Sequence, residues 1–281
     1  MHLPITYLFV PGDRPDRFDK ALDAGADAVI LDLEDAVPAA AKASARAAIA
    51  QWIATRPHLD QRVALRINAA STSAFDADLA LLSALRIRLA ILPKAETPAQ
   101  IARVTASLPP NGCVLPLIET ARGVHNVDAI ALAPGVQRLA LGTLDYAVDL
   151  DLSGDERGLV YPGSRLAIAS RCADLDTPIA GVTSAIDDEQ QLRDDVAFAR
   201  ALGFGAKLCI HPRQVAVVRH ALLPTPADLE WARRVIVAAE GQEGAVQLDG
   251  RMVDRPILLR AQAIVDRSQH ANRPSAPSQR L

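Results

Sequence analysis

Eight short apolar runs, separated by helix-like stretches, recur along this chain of 281 residues. The runs are continuous rather than alternating, which is typical of parallel strands buried on both faces. Eight strand and helix alternations predict a closed (β/α)8 TIM barrel of the α/β class. Strands are predicted over residues 7–10, 28–33, 63–67, 89–92, 114–118, 138–141, 178–181 and 207–210. Helices are predicted over residues 15–24, 39–55, 74–85, 98–107, 123–133, 164–173, 188–202 and 212–220.

The chain divides into three predicted regions. Residues 1–222 are long enough for the barrel, which would be the catalytic domain. Helical patterns over 224–239 and 255–267, joined by a glycine-containing segment, predict a C-terminal helical extension and lid over 223–268. Residues 269–281 lack apolar periodicity and are rich in Pro, Ser, Gln and Arg, so a disordered tail is predicted there.

Composition excludes several classes of function. The 33 acidic residues nearly balance the 30 basic ones and no basic stripe occurs, so nucleic acid is not an expected partner. No run of about 18 apolar residues is present to cross a membrane, and the first residues lack the basic region of a signal peptide. Three cysteines without CxxC spacing suit a reducing compartment. A cytoplasmic enzyme is therefore expected.

Polar clusters follow five of the predicted strands. They are Asp32-Leu-Glu34-Asp35, Arg66-Ile-Asn68, Lys94-Ala-Glu96, Glu119-Thr120 and Gly142-Thr143-Leu-Asp145. Parallel barrel strands end at one rim, where barrel enzymes place their active sites. The clusters therefore predict a carboxylate-rich, metal-binding site at that rim.

Glu119 and Asp145 are the candidate metal ligands. Two carboxylates from neighbouring strands, completed by water and substrate oxygens, suit the octahedral coordination of Mg2+. The alternative is that both acids simply favour the N-terminal dipoles of the helices that follow them. Gly142 and Thr143, in the same cluster as Asp145, are candidate substrate contacts.

Arg66 is the candidate substrate-binding cation. A guanidinium at the end of an apolar strand is costly without a partner. A substrate carboxylate or thioester oxygen would provide one. An internal salt bridge with Asp32, Glu34 or Glu96 would provide another, and both can hold at once.

The acidic cluster of Asp32, Glu34 and Asp35 is predicted to support the site. Such acids orient metal-bound water or neighbouring basic side chains, here Arg66 or Lys94. Direct metal ligation by the cluster is the alternative.

Further candidates carry weaker signals. Lys94 and Glu96 would share one side of an extended strand, and either pair with each other or contact substrate. Arg14 and Arg17 lie in a strand-to-helix turn that would hold a coenzyme phosphate, although helix-surface arginines are usually solvated. His211 follows the eighth strand and is either an acid–base group or a neutral, packed side chain.

Several motifs in order resemble one known family. They include Tyr7-Leu-Phe-Val-Pro-Gly-Asp-Arg-Pro-Asp-Arg-Phe18, Asp32-Leu-Glu-Asp-Ala-Val37, Pro93-Lys-Ala-Glu96, Ile118-Glu-Thr120 and Leu141-Gly-Thr-Leu-Asp145. The chain resembles the citrate lyase β-subunit-like (CitE-like) proteins of the HpcH/HpaI aldolase family over about residues 5–267. The resemblance implies Mg2+ and the reversible cleavage of a 3-hydroxyacyl thioester, such as malyl-CoA, citramalyl-CoA or a citryl thioester, into an acyl thioester and a 2-oxo acid.

The same resemblance implies roles for individual residues. Glu119 and Asp145 would be metal ligands, and Arg66 would bind substrate and stabilise the thioester enolate. Asp254 would be a catalytic lid acid given to a neighbouring subunit, which implies a homo-oligomer, commonly a trimer or hexamer. Gly163 departs from the larger or basic residue expected in relatives.

Two alternative functions stay open within the resemblance. One is a β subunit of a multi-enzyme citrate lyase that docks an acyl-carrier thioester. The other is an aldolase for 2-oxo acids that uses no thioester.

Overall fold

A computed structural model of the chain describes residues 4–56, 62–241 and 244–271. Eight parallel strands follow one another around a closed barrel, and β8 pairs with β1, which confirms the predicted (β/α)8 architecture. The strands are β1 (Thr6–Pro11), β2 (Ala28–Asp32), β3 (Val63–Arg66), β4 (Leu89–Leu92), β5 (Cys113–Ile118), β6 (Ala140–Leu141), β7 (Ile179–Ala180) and β8 (Ala206–Cys209).

Helices cover the outside of the barrel. They are α1 (Phe18–Asp23), α2 (Lys42–Ala54), α3 (Phe75–Leu85), α4 (Pro98–Thr105), α5 (Ala121–His125), α6 (Val127–Ala131), α7 (Thr143–Asp149), α8 (Val160–Cys172), α9 (Glu189–Ala201) and α10 (Pro212–Leu222). The helix predicted over 123–133 is two helices, because the backbone leaves helical geometry at Asn126. Its side chain instead donates to the Glu96 carbonyl at 2.8 Å. Helix α7 was not predicted.

Alternate strand residues fill the barrel interior. Tyr7, Ile30, Ile91, Leu117 and Leu208 belong to one buried apolar cluster inside it. Continuous apolar strands bury their other faces against the helices, which is the pattern that predicted parallel strands. The interior is therefore packed, and polar chemistry is left to the rims.

Charged side chains fasten the N-terminal end of the barrel. Buried Arg138 donates to the Pro4 carbonyl at 2.7 Å, to the Thr177 hydroxyl at 3.2 Å and to the Thr177 carbonyl. Asp27 accepts the Ile5 and Thr6 backbone N–H groups, each at 3.0 Å. These contacts join segments far apart in sequence, at the end of the barrel opposite to the predicted site.

Replacing Arg138 with methionine should destabilise the protein by about 3 kcal/mol, because the carbonyls of Pro4 and Thr177 lose their hydrogen bonds to a buried, charged donor. The shift in the urea midpoint at constant slope measures this loss. The matched control is Arg157→Met, which removes an arginine whose pair with Asp155 lies on the surface. It should leave the midpoint in place. Equal midpoints for Arg138→Met and wild type would contradict the prediction.

The described residues from His220 onwards group into a second unit. It contains α11 (Pro226–Ala239), the hairpin strands β9 (Val246–Leu248) and β10 (Arg251–Val253), and α12 (Arg255–Ala271). The two helices were predicted, whereas the hairpin lies in the segment expected to be a lid. Ala232, Val235, Val253, Ala261 and Ile264 form a core of its own.

The boundary between the two units and the end of α12 both lie near predicted limits. Contacts divide the chain near residue 220, and the predicted boundary lies at 222. Helix α12 continues to Ala271, three residues past the predicted start of the tail at 269, and residues 272–281 lie outside the described part of the chain. Within the described residues, no helix combines the length and apolar character needed to cross a membrane.

Candidate active site

A cavity of about 380 Å³ opens at the C-terminal rim of the barrel. It brings together seven of the residues predicted from strand ends: Asp32, Asp35, Arg66, Glu119, Gly142, Thr143 and Asp145. Apolar side chains that were not predicted line the remainder, namely Phe9, Leu117, Leu144, Val182, Leu208 and Ile210. The inward positions of the strands could have indicated Phe9, Leu117 and Leu208, because strand alternation sends every second side chain into the barrel.

Arg66, at the end of β3, is held on three sides. Its Nε and one Nη bind the two Asp32 oxygens at 2.7 and 2.6 Å, and its other Nη lies 2.8 Å from Glu34 Oε2. Its guanidinium also stacks 4.7 Å from the centre of the Phe9 ring, a favourable cation–π distance. The expected internal salt bridge is therefore present with Asp32 and Glu34.

The charge of Arg66 is secured by these partners. Burial alone would lower the pKa of Arg66, but the hydrogen bonds and charge of Asp32 and the charge of Glu34 raise it above its ordinary value. Asp32 accepts hydrogen bonds from two of the five N–H donors of the guanidinium, and the contact with Glu34 Oε2 is an ion pair rather than a hydrogen bond. Arg66 thus keeps N–H donors that no described side chain engages in a hydrogen bond, and it lines the cavity. A fixed cation with free donors suits an anionic oxygen of a ligand.

Asp32 is fully committed to protein contacts. Besides Arg66, its oxygens accept the backbone N–H groups of Glu34 at 2.9 Å and Ala36 at 3.2 Å. These bonds hold the turn after β2 and orient Arg66, as the supporting role of the acidic cluster requires. Asp35, by contrast, is exposed at the mouth of the cavity.

Lys94 lies at the centre of the carboxylates. Its Nζ is 2.9 Å from Glu34 Oε1, 3.3 Å from Asp145 Oδ1 and 3.7 Å from Glu119 Oε1. Burial alone would lower the pKa of Lys94, but the hydrogen bond with Glu34 and the charges of Glu119, Glu34 and Asp145 raise it. The ammonium therefore stays charged.

The alternative of a Lys94–Glu96 pair is wrong. Strand β4 ends at Leu92, and Lys94 has a left-handed backbone with φ of 48°, so strand alternation does not extend to these residues. Glu96 instead accepts the Thr120 hydroxyl at 2.9 Å. The turn also aims the Lys94 backbone N–H at Glu119 Oε1, 2.8 Å away.

Glu119 directly follows β5 and is only 2% exposed. Burial, reinforced by the charges of Glu34 and Asp145 and opposed by Lys94, raises the pKa of Glu119 to about 8. The helix-dipole alternative does not describe Glu119, because Thr120 caps α5 by accepting the Gly123 N–H at 3.0 Å. It does describe the position of Asp145, which lies in the first turn of α7 with a 39% exposed side chain.

Gly142 allows this close approach of β6 to Glu119. A Cβ at position 142 would lie 2.3 Å from Glu119 Oε2 and 2.6 Å from its Cβ, distances that real contacts do not reach. Glycine is thus needed because the carboxylate occupies the space of a side chain, and Thr143 then starts α7.

Replacing Gly142 with alanine should displace Glu119 and cost about 1–3 kcal/mol of stability, as overpacking does. Thermal and urea unfolding measure the loss. Gly158→Ala is the control, since its Cβ would meet only the flexible Leu152 side chain, at 3.1 Å or more. Equal stability of the two variants would show that Glu119 tolerates displacement and would contradict the steric argument.

The donor set fits a hard divalent cation. Among residues 4–56, 62–241 and 244–271, no group of three or more His, Cys, Asp or Glu side chains forms a complete metal cage. Mg2+ needs none, because it takes one or two protein carboxylates and keeps water or substrate oxygens. Four acids contact Arg66 or Lys94, namely Asp32, Glu34, Glu119 and Asp145. When all four are ionised, their negative charge exceeds the positive charge of Arg66 and Lys94 by two. One divalent ion would neutralise that excess.

A sequence profile of the HpcH/HpaI aldolase/citrate lyase family matches residues 6–212, almost the whole barrel. The chain belongs to the HpcH/HpaI aldolase/citrate lyase family. It is therefore an enzyme of the citrate lyase β-subunit-like group, as the motifs predicted.

Relatives and solved structures of the family cover nearly the full chain. A citrate lyase subunit beta-like protein of Mycobacterium tuberculosis is 37% identical, with 94% of this chain and 96% of the relative covered. A (3S)-malyl-CoA thioesterase of Cereibacter sphaeroides is 32% identical, with 92% and 94% covered. The crystal structure of CitE from M. tuberculosis with magnesium, acetoacetate and coenzyme A superposes with a TM-score of 0.85 at 35% identity, covering 94% of this chain and 97% of that one.

Three other residues predicted to belong to the site do not line the rim cavity. Arg14 forms a bidentate pair with Asp16 at 3.0 and 2.9 Å, and Arg17 is exposed in the adjacent turn. His211 is half-buried, directly precedes α10 and accepts the Arg213 backbone N–H at 3.2 Å. None of these three predicted side chains lines the cavity.

Gly163 lies inside α8 rather than in a turn. A Cβ there would come within 2.8 Å of Leu202 Cδ1, so the glycine lets α8 pack closely against the residue that follows α9.

In the C-terminal unit, half-buried Asp254 directly precedes α12 and accepts the Ile257 N–H at 3.1 Å.

Proposed function

We propose that this enzyme is a Mg2+-dependent carbon–carbon lyase. It cleaves, reversibly, a 3-hydroxyacyl-CoA such as malyl-CoA, citramalyl-CoA or citryl-CoA into an acyl-CoA and a 2-oxo acid. The observation that carries the proposal is the buried Glu119 carboxylate, which faces Asp145 across a cavity that also contains the fixed cation Arg66. The magnesium, acetoacetate and coenzyme A bound by the M. tuberculosis CitE structure support this ligand chemistry.

Glu119 and Asp145 would hold the metal. Glu119 is the better anchored ligand, because the Lys94 N–H fixes Oε1 and leaves Oε2 beside Gly142. When bound, Mg2+ would supply Lewis-acid stabilisation of charge on the 2-oxo acid oxygens. Thr143 and Gly142 lie beside both carboxylates and would contact the same acid.

Arg66 would stabilise the thioester enolate. When the carbon–carbon bond breaks, its electron pair moves into the acyl fragment and charge develops on the thioester oxygen. The N–H donors of Arg66 that Asp32 does not engage would bind that oxygen, while the contacts with Asp32 and Glu34 would hold the guanidinium in place. The apolar side chains of Phe9, Val182 and neighbouring residues exclude water from the enolate.

Asp254 would complete the proton balance. Cleavage releases the proton of the substrate hydroxyl to water and requires one proton at the α-carbon of the acyl product, so the proton count is unchanged. As a lid acid given to a neighbouring subunit of a homo-oligomer, Asp254 would donate that proton and remove it in condensation. Arg14 and Arg17 would contact CoA phosphates, which would compete with Asp16 for Arg14.

Two named relatives define the competing functions. Thioester hydrolysis corresponds to the (3S)-malyl-CoA thioesterase of C. sphaeroides. A carrier-docking subunit corresponds to the citrate lyase subunit beta of Leuconostoc mesenteroides, 31% identical to this chain. The products formed from one CoA substrate distinguish these functions from a free-standing lyase.

The test incubates the protein with malyl-CoA, citramalyl-CoA and citryl-CoA in Mg2+ or EDTA. Equal yields of acyl-CoA and 2-oxo acid, lost in EDTA and restored by Mg2+, are expected for at least one substrate. Free CoA with an intact hydroxy acid would indicate a thioesterase. No turnover of any CoA substrate, with activity appearing only on an acyl-carrier thioester, would favour the subunit. Cleavage that continues in EDTA would overturn the metal proposal.

A further inference from the structure

We propose that Lys94 is an internal competitor of the divalent cation and sets the metal affinity of the site. The inference rests on the proposed function, because it takes Glu119 and Asp145 as the metal ligands. It concerns a residue to which the proposed chemistry assigns no step through its side chain.

The position of the ammonium carries the inference. Among the ion pairs between described residues, Lys94 is the only cation that reaches either Glu119 or Asp145. Its Nζ lies 3.7 Å from the first carboxylate and 3.3 Å from the second. The structure thus places a positive charge beside both carboxylates that a divalent cation would need.

The two parts of Lys94 have separable roles. Its backbone N–H positions Glu119 and does not depend on the side chain. The side chain is 35% exposed and carries its ammonium on a flexible aliphatic stem, so the ammonium can move away while the backbone contact remains. Substitution of the side chain therefore tests charge without removing the support of Glu119.

Electrostatics gives the direction of the effect. A divalent ion bound by these carboxylates must either displace the ammonium or lie a few ångströms from it, and both cost binding free energy. When Lys94 withdraws, Glu34 retains Arg66 as a partner and the divalent ion takes the place of the ammonium beside Glu119, so no buried acid is left without a cation. Removal of the charge should therefore tighten metal binding.

Mg2+ affinity without substrate is the decisive measurement. Titration calorimetry of Lys94→Gln should give a dissociation constant at least tenfold lower than that of the wild-type protein. Lys94→Arg keeps the charge and should remain within about threefold of wild type. Lys20→Gln removes one charge from the exposed surface of α1 and should change nothing.

Each contrary outcome has a distinct meaning. Equal or weaker binding by Lys94→Gln, with circular dichroism like that of wild type, overturns the inference. Binding by Lys94→Arg that is as tight as binding by Lys94→Gln also overturns the inference, because the charge would then not be the cause. If wild type binds no Mg2+, or Glu119→Gln binds it as well as wild type does, the metal site itself fails rather than the role of Lys94. Should Lys94→Gln not fold, Lys94→Met replaces it in the same titration.

Discussion

Replacing Glu119 with glutamine should lower kcat by about 10³-fold or more and abolish stabilisation by Mg2+. The charge stabilisation lost with a catalytic metal is several kcal/mol, which corresponds to a rate effect of this size. Glutamine keeps the shape of the side chain and an acceptor for the Lys94 N–H, so only the charge is removed. Thermal shift with and without Mg2+, together with acyl-CoA formation, measures both effects.

Glu189→Gln is the matched control for this variant. It removes one carboxylate from the exposed first turn of α9 and should keep both the Mg2+ response and the rate. A Glu119→Gln protein that still gains stability with Mg2+ and turns over within tenfold of wild type would refute the ligand assignment.

The metal-free stability of the wild-type protein has a predictable pH dependence, for which Glu119→Gln is the reference. The pKa of Glu119 is about 8 in the folded protein against 4.5 for an ordinary glutamate, so the folded state binds the extra proton between these values. Wild-type stability in EDTA should therefore fall as pH rises from about 4.5 to about 8, relative to Glu119→Gln. Coincident urea midpoints across this window would contradict the burial argument.

Replacing Arg66 with methionine should reduce kcat by about 10²–10³-fold, the usual effect of removing a donor to a developing oxyanion. It should also cost about 3–5 kcal/mol of stability, because buried Asp32 and Glu34 lose their shared cation. Steady-state kinetics and urea unfolding separate the two effects.

Two further variants isolate the chemical role of Arg66. The double change Arg66→Met with Asp32→Asn should recover part of the stability but none of the rate, since it removes the unpaired charge without restoring the donors. Arg46→Met breaks another ion pair to a fully buried acid, Asp78, and neither of these residues lines the cavity. It should lose stability while its kcat stays near that of wild type. Wild-type kcat in Arg66→Met would eliminate the enolate role.

Most of the barrel could be predicted because its signals are local. Each apolar run identifies a strand from a few neighbouring residues. Helix starts were also predictable where a cap is present, as with the Thr97 capping box at α4. Short elements were missed: α7 begins directly after two-residue β6, and three-residue β9 and β10 carry too little periodicity.

The membership of the site was predictable for a related reason. In a parallel barrel, a residue that ends a strand lies at the same rim as every other such residue. Asp32, Arg66 and Glu119 therefore came together as expected, and their residue types indicated the chemistry. The apolar lining was missed because it comes from positions that the core alone would explain.

The contacts between individual side chains could be identified only from the folded structure. Lys94 pairs with Glu34, 60 residues earlier, rather than with Glu96, because a left-handed turn redirects it after β4. Likewise, the glycine at position 142 is explained only by the Glu119 carboxylate, which occupies the space that a side chain at this position would fill. Hydrophobic periodicity acts over a few residues, so the chain alone specifies strands, rim and residue types. Partner choice, burial and pKa depend on strand register and turn geometry between distant segments, and these exist only once the barrel has closed.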